Sequence, residues 1–236
     1  DFGVQASGIQ LAFADVQKRK DKVVMKNSKG IEFLMKKNKC TVFKGTGKLA
    51  LPGKVEVTGE DGTKQIIQTK SIIIATGSVV RPIAGFETDG KQVVNSDHIL
   101  ELTEVPKSLI VMGCGAVGVE FASVYSRFGA ETTVVELLPR LVPLEDEEVS
   151  AELAKSFRKR GIKSQVDTKL DRLEKSDTGV VVIGKTSKGE EVRLEAEMLL
   201  VAVGRMPFTQ GLGLEGTKIK VEKGFIQVDE YQQTGE

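Results

Sequence analysis

The sequence predicts an α/β fold in which a parallel sheet lies between covering layers, three in all, and is interrupted by an inserted antiparallel β-meander. Three observations carry this. Between residues 108 and 160, apolar strand-like runs alternate with helical patterns, the order that builds a parallel, doubly wound sheet. Residues 198–203 are continuously apolar, as expected of a strand covered on both faces. Between these, residues 162–193 alternate short β-like runs with turn signals at Asp177, Gly179 and Lys188-Gly189, which reads as antiparallel strands.

Taken in chain order, residues 8–22 place Ile9, Phe13 and Val16 at helical spacing, and Asn27 or Ser28 is positioned to cap a second helix reaching about Asn38. Strand-like runs follow at residues 41–44, 54–58 and 65–75, with Pro52-Gly53 and Asp61-Gly62 as turns. The end of the third run, Ser71-Ile72-Ile73-Ile74-Ala75, predicts a strand buried on both faces. Residues 81–106, bracketed by Pro82 and Pro106, read as a linker. Then come a strand at 109–112, a helix at 117–128, a strand at 131–136 and a helix at 145–160.

Composition narrows the function classes. Hydrophobic residues make up 40% of the 236 and charged residues 28%, an ordinary globular balance. A net charge of +1 argues against a nucleic-acid partner, whose footprint is a basic stripe. The basic residues Lys18, Arg19, Lys20, Lys22, Lys26, Lys29, Lys36, Lys37 and Lys39 read as solvated helix faces. No run approaches the ~18 apolar residues of a membrane span. Cys40 and Cys114 form no CxxC pair and His98 is the single histidine, so neither a zinc site nor a disulfide framework is expected. A reducing interior fits, the cytoplasm or, alternatively, the mitochondrial matrix.

The strongest motif is Gly113-x-Gly115-x-x-Gly118. It follows an apolar strand and opens an amphipathic helix; Ala122 and Gly129 follow, and Glu136 closes the next strand 23 positions after Gly113. This is the context of a Rossmann-like dinucleotide-binding turn. Gly113 permits the sharp bend, Gly115 lets backbone approach a diphosphate, and Gly118 with Ala122 brings helix and sheet together. Amides at the helix start attract the anion. A carboxylate at Glu136 accepts ribose hydroxyls and repels a 2′-phosphate, favouring NAD(H) over NADP(H), although Arg140 nearby offers a competing cation. Cys114 reads as a packing residue, and Glu120 is accounted for equally by the helix dipole or by ligand contact.

The runs SIIIATG at residues 71–77 and MLLVAVG at 198–204 share one form, an apolar strand ending in Ala-x-Gly. Two copies suggest two related nucleotide-binding domains. Stepping back from Gly77 by the interval between Gly113 and Gly204 falls before residue 1, so the chain is expected to be a fragment.

These residues, with residues 71–78, Pro139-Arg140, Glu145-Asp146 and the stretch 199–207 running into Leu212-Gly213-Leu214, resemble the pyridine nucleotide-disulfide oxidoreductases, most closely the dihydrolipoamide dehydrogenase branch. The resemblance spans nearly the whole chain. It implies a partial FAD-binding domain at 1–80, an NAD-binding domain at 81–207 and the start of a return segment at 208–236. Carried over by position, Thr76, Gly77, Ser78 and the backbone of Gly47 touch FAD. Gly113, Cys114, Gly115, Ala116, Val117, Gly118, Val119 and Glu120 surround the NAD diphosphate and nicotinamide side, and Glu136 the adenosine ribose. Leu170 and Gly204 line the adenine and nicotinamide ends.

The resemblance implies an enzyme that oxidises protein-bound dihydrolipoamide through a redox disulfide and flavin, reducing NAD⁺. Its implied partners are lipoyl domains of 2-oxo acid dehydrogenase complexes or of the glycine cleavage system, and its parent a homodimer. The redox cysteine pair and the His–Glu acid–base pair have no counterpart here, so no catalytic residue is assigned, and the chain alone is expected to lack dehydrogenase activity. Another flavoprotein disulfide reductase, an NADH oxidase-like enzyme and a non-catalytic dinucleotide module stay open as alternatives.

Overall fold

The computed structural model describes residue 3, residues 6–51 and residues 53–235. In chain order its elements are helix α1 (Phe13–Lys37), strands β1 (Thr46–Leu51), β2 (Lys54–Thr58), β3 (Lys64–Gln68), β4 (Ser78–Val80) and β5 (Val93–Val94), and helix α2 (Ser96–Leu100). Then follow β6 (Ser108–Met112), α3 (Ala116–Arg127), β7 (Glu131–Val135), α4 (Glu147–Lys159) and β8 (Lys163–Gln165). The remainder comprises β9 (Thr168–Ser176), β10 (Gly179–Thr186), β11 (Glu191–Ala196), β12 (Met198–Val201), β13 (Arg205–Pro207), β14 (Val221–Glu222) and β15 (Phe225–Ile226). Contacts divide the chain into two units: residues up to Lys22 with Val80–Gly204, and Val23–Val79 with Arg205 onward. The sequence reading placed residues 1–80 in one domain, whereas those up to Lys22 cluster with the first unit.

In the first unit a five-stranded sheet runs in the order β5-β12-β6-β7-β8, with every neighbouring pair parallel. Alternate side chains feed two cores. Leu109, Val111 and Leu200 meet Ile99, Ala122, Tyr125 and Phe157 from the helices. Ile110, Leu199 and Val201 meet Leu170, Val180 and Val182 from the antiparallel meander β9-β10-β11. The meander is therefore the third layer, and this double covering is why β6 and β12 read as unbroken apolar runs. Each buried aliphatic side chain contributes roughly 1.5–3 kcal/mol. From β6 the chain proceeds to β7 on one side and later returns as β12 on the other, which makes the carboxyl ends of β6 and β12 the point where the strand order reverses, the place where such sheets bind ligands.

Two sequence expectations are corrected, one within this unit and one in the helix that runs from it into the second. Residues 81–106 are not a linker. They contain β5 and α2, and Phe86, Val93, Val94 and Ile99 are buried. Pro82 and Pro106 sit outside these elements, so they punctuate the segment without dissolving it. Asn95 caps α2 by accepting from the Asp97 and His98 amides, and the His98 side chain accepts in return from the Asn95 N–H. His98 is thus a helix-capping group. Helix α1 is also one continuous element of 25 residues, not two. A single glycine at Gly30 costs about 1 kcal/mol in a helix interior, too little to break a run rich in Lys. Its first turns are fixed by Phe13, which packs edge-on against Phe128 at 5.6 Å, and by Gln17 and Lys20, which donate to the Leu100 carbonyl.

The second unit holds an antiparallel sheet β1-β2-β3 and a β14-β15 hairpin. Gly53 (φ +70°) and Gly62 (φ +79°) serve its turns; Pro52, expected to share the first, lies outside the described residues. The sheet begins at Thr46, so residues 41–44 are not a strand. Nor are residues 71–75, and Ile73 is 90% exposed. An apolar run becomes a strand only when neighbours accept its amides, and among the described residues none pairs with it. The two Ala-x-Gly runs are accordingly alike in sequence but not in structure. Among the described residues no helix is long and apolar enough to cross a membrane.

Candidate functional site

The chain leaves β6 through Gly113 at φ +100°, where a Cβ would lie 2.6 Å from the Ala202 carbonyl oxygen. Its N–H donates to the Val135 carbonyl at 2.8 Å. Inside α3, a Cβ on Gly118 would fall 2.0 Å from the Gly113 oxygen, so the helix can ride this close to its own turn only with glycine there. Ala122, one turn on, is fully buried. Gly129 (φ +102°) ends the helix, with the Ala130 N–H returning to the Tyr125 carbonyl, a left-handed termination.

Gly115 caps α3 in extended conformation without any side-chain hydrogen bond. The space beyond its α-carbon is open, with no atom within 4 Å of a Cβ placed there. Among the described residues, the leading amides of α3 therefore have no capping side chain, and they carry the helix's partial positive charge. Chemically, this end suits an oxyanion with several oxygens, and the residues present fit a dinucleotide diphosphate.

Glu136 stands just beyond β7, partly buried. Its Oε2 accepts from the Cys114 N–H at 2.8 Å and its Oε1 from the Leu138 N–H at 2.9 Å. A carboxylate retains further lone pairs for hydroxyl donors. The Cys114 thiol is buried; desolvation first, then the charge of Glu136, pushes it up to about 12, so it stays protonated and is no nucleophile. Arg140 is engaged by the Glu147 carboxylate and the carbonyls of Pro143 and Glu145.

Ala116 and Glu120 are exposed on α3, while Val117 and Val119 pack toward the helical core. Gly204 follows β12, exposed at φ +104°, and its carbonyl accepts from the Arg81 N–H. The structure thus gathers Gly113 to Glu120, Glu136 and Gly204 at the carboxyl ends of the inner strands β6, β7 and β12. Leu170, on β9, is buried in the core that also takes Val135, and two residues before it the Thr168 N–H donates to the Glu136 carbonyl at 2.9 Å.

In the second unit, the Thr76 hydroxyl donates to the Phe208 carbonyl at 2.6 Å, and the Gly77 carbonyl (φ +72°) accepts from the Phe208 N–H. Ser78 accepts from Arg205 at its hydroxyl, 2.8 Å, and its carbonyl, 2.6 Å. Gly47 lies on β1 opposite Val57, with room for an ordinary Cβ. The glycine that geometry demands there is Gly45: at φ +144° a Cβ would sit 2.2 Å from the Thr58 oxygen. Sequence reading missed Gly45 and Arg205 because each is defined by a distant partner. Among its described residues this unit has no strand–glycine–helix bend, so they do not by themselves form a diphosphate cradle for FAD.

A parallel sheet with a glycine bend where its strand order reverses and a meander as third layer defines the three-layer α/β class of nucleotide-binding folds. More narrowly, residues 3–236 match the family described as pyridine nucleotide-disulphide oxidoreductase, and the chain belongs to that family. It is 43% identical over 234 residues to a dihydrolipoyl dehydrogenase of Chlorobaculum parvum, covering 99% of this chain and 50% of that protein. The solved structure of LpdA from Mycobacterium tuberculosis superposes with a TM-score of 0.87 at 25% identity, covering 96% of this chain and 50% of that one. The HOCl-induced flavoprotein disulfide reductase RclA from Escherichia coli gives 0.77 at 29%, covering 94% and 50%. The chain spans about half the length of the curated relatives it matches.

Proposed function

We propose that this chain carries the NAD(H) site of a flavin-dependent dihydrolipoamide dehydrogenase. The observation that carries the reading is the pairing at the carboxyl ends of β6 and β7: an uncapped helix start opening onto free space at Gly115, and a carboxylate at Glu136 hydrogen-bonded to the same turn. The α3 amides hold the diphosphate, and Glu136 accepts the adenosine ribose hydroxyls. NADP(H) is disfavoured because Glu136 repels a 2′-phosphate, while Arg140 is already occupied by Glu147. Gly204 faces the nicotinamide end, Leu170 supports the adenine side from beneath, and Thr76, Gly77, Ser78 and Gly47 contribute to a flavin site. Bound nicotinamide and flavin supply the hydride chemistry; the residues here bind and orient.

The substrate rests on the relatives' names and on the motifs resembling that branch. Its physiological partners, on this reading, are lipoyl domains of 2-oxo acid dehydrogenase complexes or of the glycine cleavage system. Cofactor choice is tested by replacing Glu136 with Arg and titrating NADH and NADPH. The ratio of affinities should move toward NADPH by about tenfold or more, an energy of ~1.4 kcal/mol; an unaltered ratio refutes the ribose role. The likeness to RclA favours a second reading, a reductase of another disulfide. Steady-state turnover of dihydrolipoamide by the full-length protein separates the two.

A further inference from the structure

We propose that Glu136 is also a positioning residue: its carboxylate fastens the glycine turn, so that it presets the amides of α3 besides reading the sugar. The inference rests on the site reading given above. The Cys114 peptide is held at both ends by the segment that follows β7. Its N–H donates to Glu136 Oε2 at 2.8 Å, and its carbonyl accepts from the Val142 N–H at 3.0 Å. The other carboxylate oxygen takes the Leu138 N–H, tying Glu136 to its own segment. Val142 sits at φ +40°, a region that β-branched residues rarely adopt and hold only when surroundings impose it.

The turn needs such fastening. Gly113 and Gly115 flank Cys114, and glycine explores more backbone conformations than any other residue. The Cys114 thiol is free and buried in the helical core, and among the described residues it makes no polar contact that would fix the bend. Diphosphate binding by amides depends on those amides already pointing at the ligand, since ordering them on binding subtracts from affinity. With Glu136 removed, the partly buried Cys114 N–H loses its acceptor, and the bend is left with its backbone bonds from Gly113 to Val135 and from Val142 to Cys114.

A sugar-reading role and a turn-fastening role separate with a ligand that has no ribose hydroxyls. Calorimetry on the chain compares adenosine diphosphate with its 2′,3′-dideoxy analogue, while amide hydrogen exchange follows Cys114 against the sheet amides of β6 and β7. In Glu136→Ala the dideoxy probe should bind about tenfold more weakly than in the wild type, and Cys114 should exchange faster with the sheet amides unmoved. Glu136→Gln, whose single carbonyl oxygen serves one of the two amides, should fall between. Should Glu136→Ala loosen the sheet as well, Glu136→Gln becomes the deciding variant. Dideoxy affinity or Cys114 exchange equal to wild type overturns the proposal and leaves Glu136 reading the sugar alone. If the wild type binds neither diphosphate, the proposed function fails instead, and Cys114 exchange alone decides the turn-fastening role.

Discussion

At the scale of single residues, the glycines of the bend divide by what surrounds them. A side chain at Gly118 would collide with backbone at 2.0 Å, while one at Gly115 would enter open space. The two positions therefore fail differently. Gly118→Ala should destabilise the first unit by about 3 kcal/mol, because overpacking against rigid backbone exceeds the ~1 kcal/mol that alanine returns in helix propensity. Gly115→Val should leave the thermal midpoint nearly unchanged yet reduce NADH affinity by at least about tenfold, because its bulk occupies the diphosphate's approach. Thermal melts paired with NADH titration check both; equal losses of stability in the two variants would contradict the assignment. Sequence spacing assigns Gly115 to ligand approach and Gly118 to packing, and the structure adds the distances that separate the two, open space at one and backbone at 2.0 Å at the other.

At the scale of elements, the segment leading into β5 is held by Asp89. One carboxylate oxygen accepts from the amides of Lys91, Gln92 and Val93 at 2.8–2.9 Å, and the other from Lys175 on β9 at 2.8 Å. Burial pushes this carboxyl up, but the Lys175 bond and the Val93 and Lys91 amides outweigh it and hold the group well below the ordinary carboxylate range. A depressed folded value means that its stabilisation is present above the unfolded value of about 3.8 and is lost as pH falls from there through the folded value. Asp89→Asn should cost about 1 kcal/mol at neutral pH, given the partial exposure of the ion pair, and this cost should shrink only as pH falls from about 3.8 toward the lower folded value. Urea unfolding of both proteins at neutral and acid pH checks this; parallel acid losses would show that Asp89 is not the titrating group. The element itself escaped sequence reading, because a two-residue strand and a five-residue helix are too short for periodicity to register.

At the scale of the whole molecule, the two units differ in burial. Among the described residues, every buried apolar side chain but Leu212 belongs to the first unit. The second exposes Val24, Met25, Ile31, Phe33 and Ile73. Resistance to local opening follows buried apolar contact. Hydrogen exchange should therefore be slowest in β6 and β12 and markedly faster in β1, β2 and β3, and NADH should protect the first unit selectively. Equal protection across the two units would show that burial does not set their stabilities. NADH protection confined to the second unit would relocate the nucleotide site.

The sequence by itself determined the glycine bend, the strand-end acid at Glu136, the doubly covered strands β6 and β12 and the inserted meander. Each is written in residues near one another, where spacing, turn chemistry and unbroken apolarity are direct consequences of local geometry. Only the tertiary structure decided that residues 81–106 are packed and that 71–75 are not a strand. It also decided that Gly45 is the constrained glycine and that Glu136 binds the turn it faces. Those outcomes depend on which distant backbone amide or carbonyl arrives alongside, and no local pattern encodes that arrival.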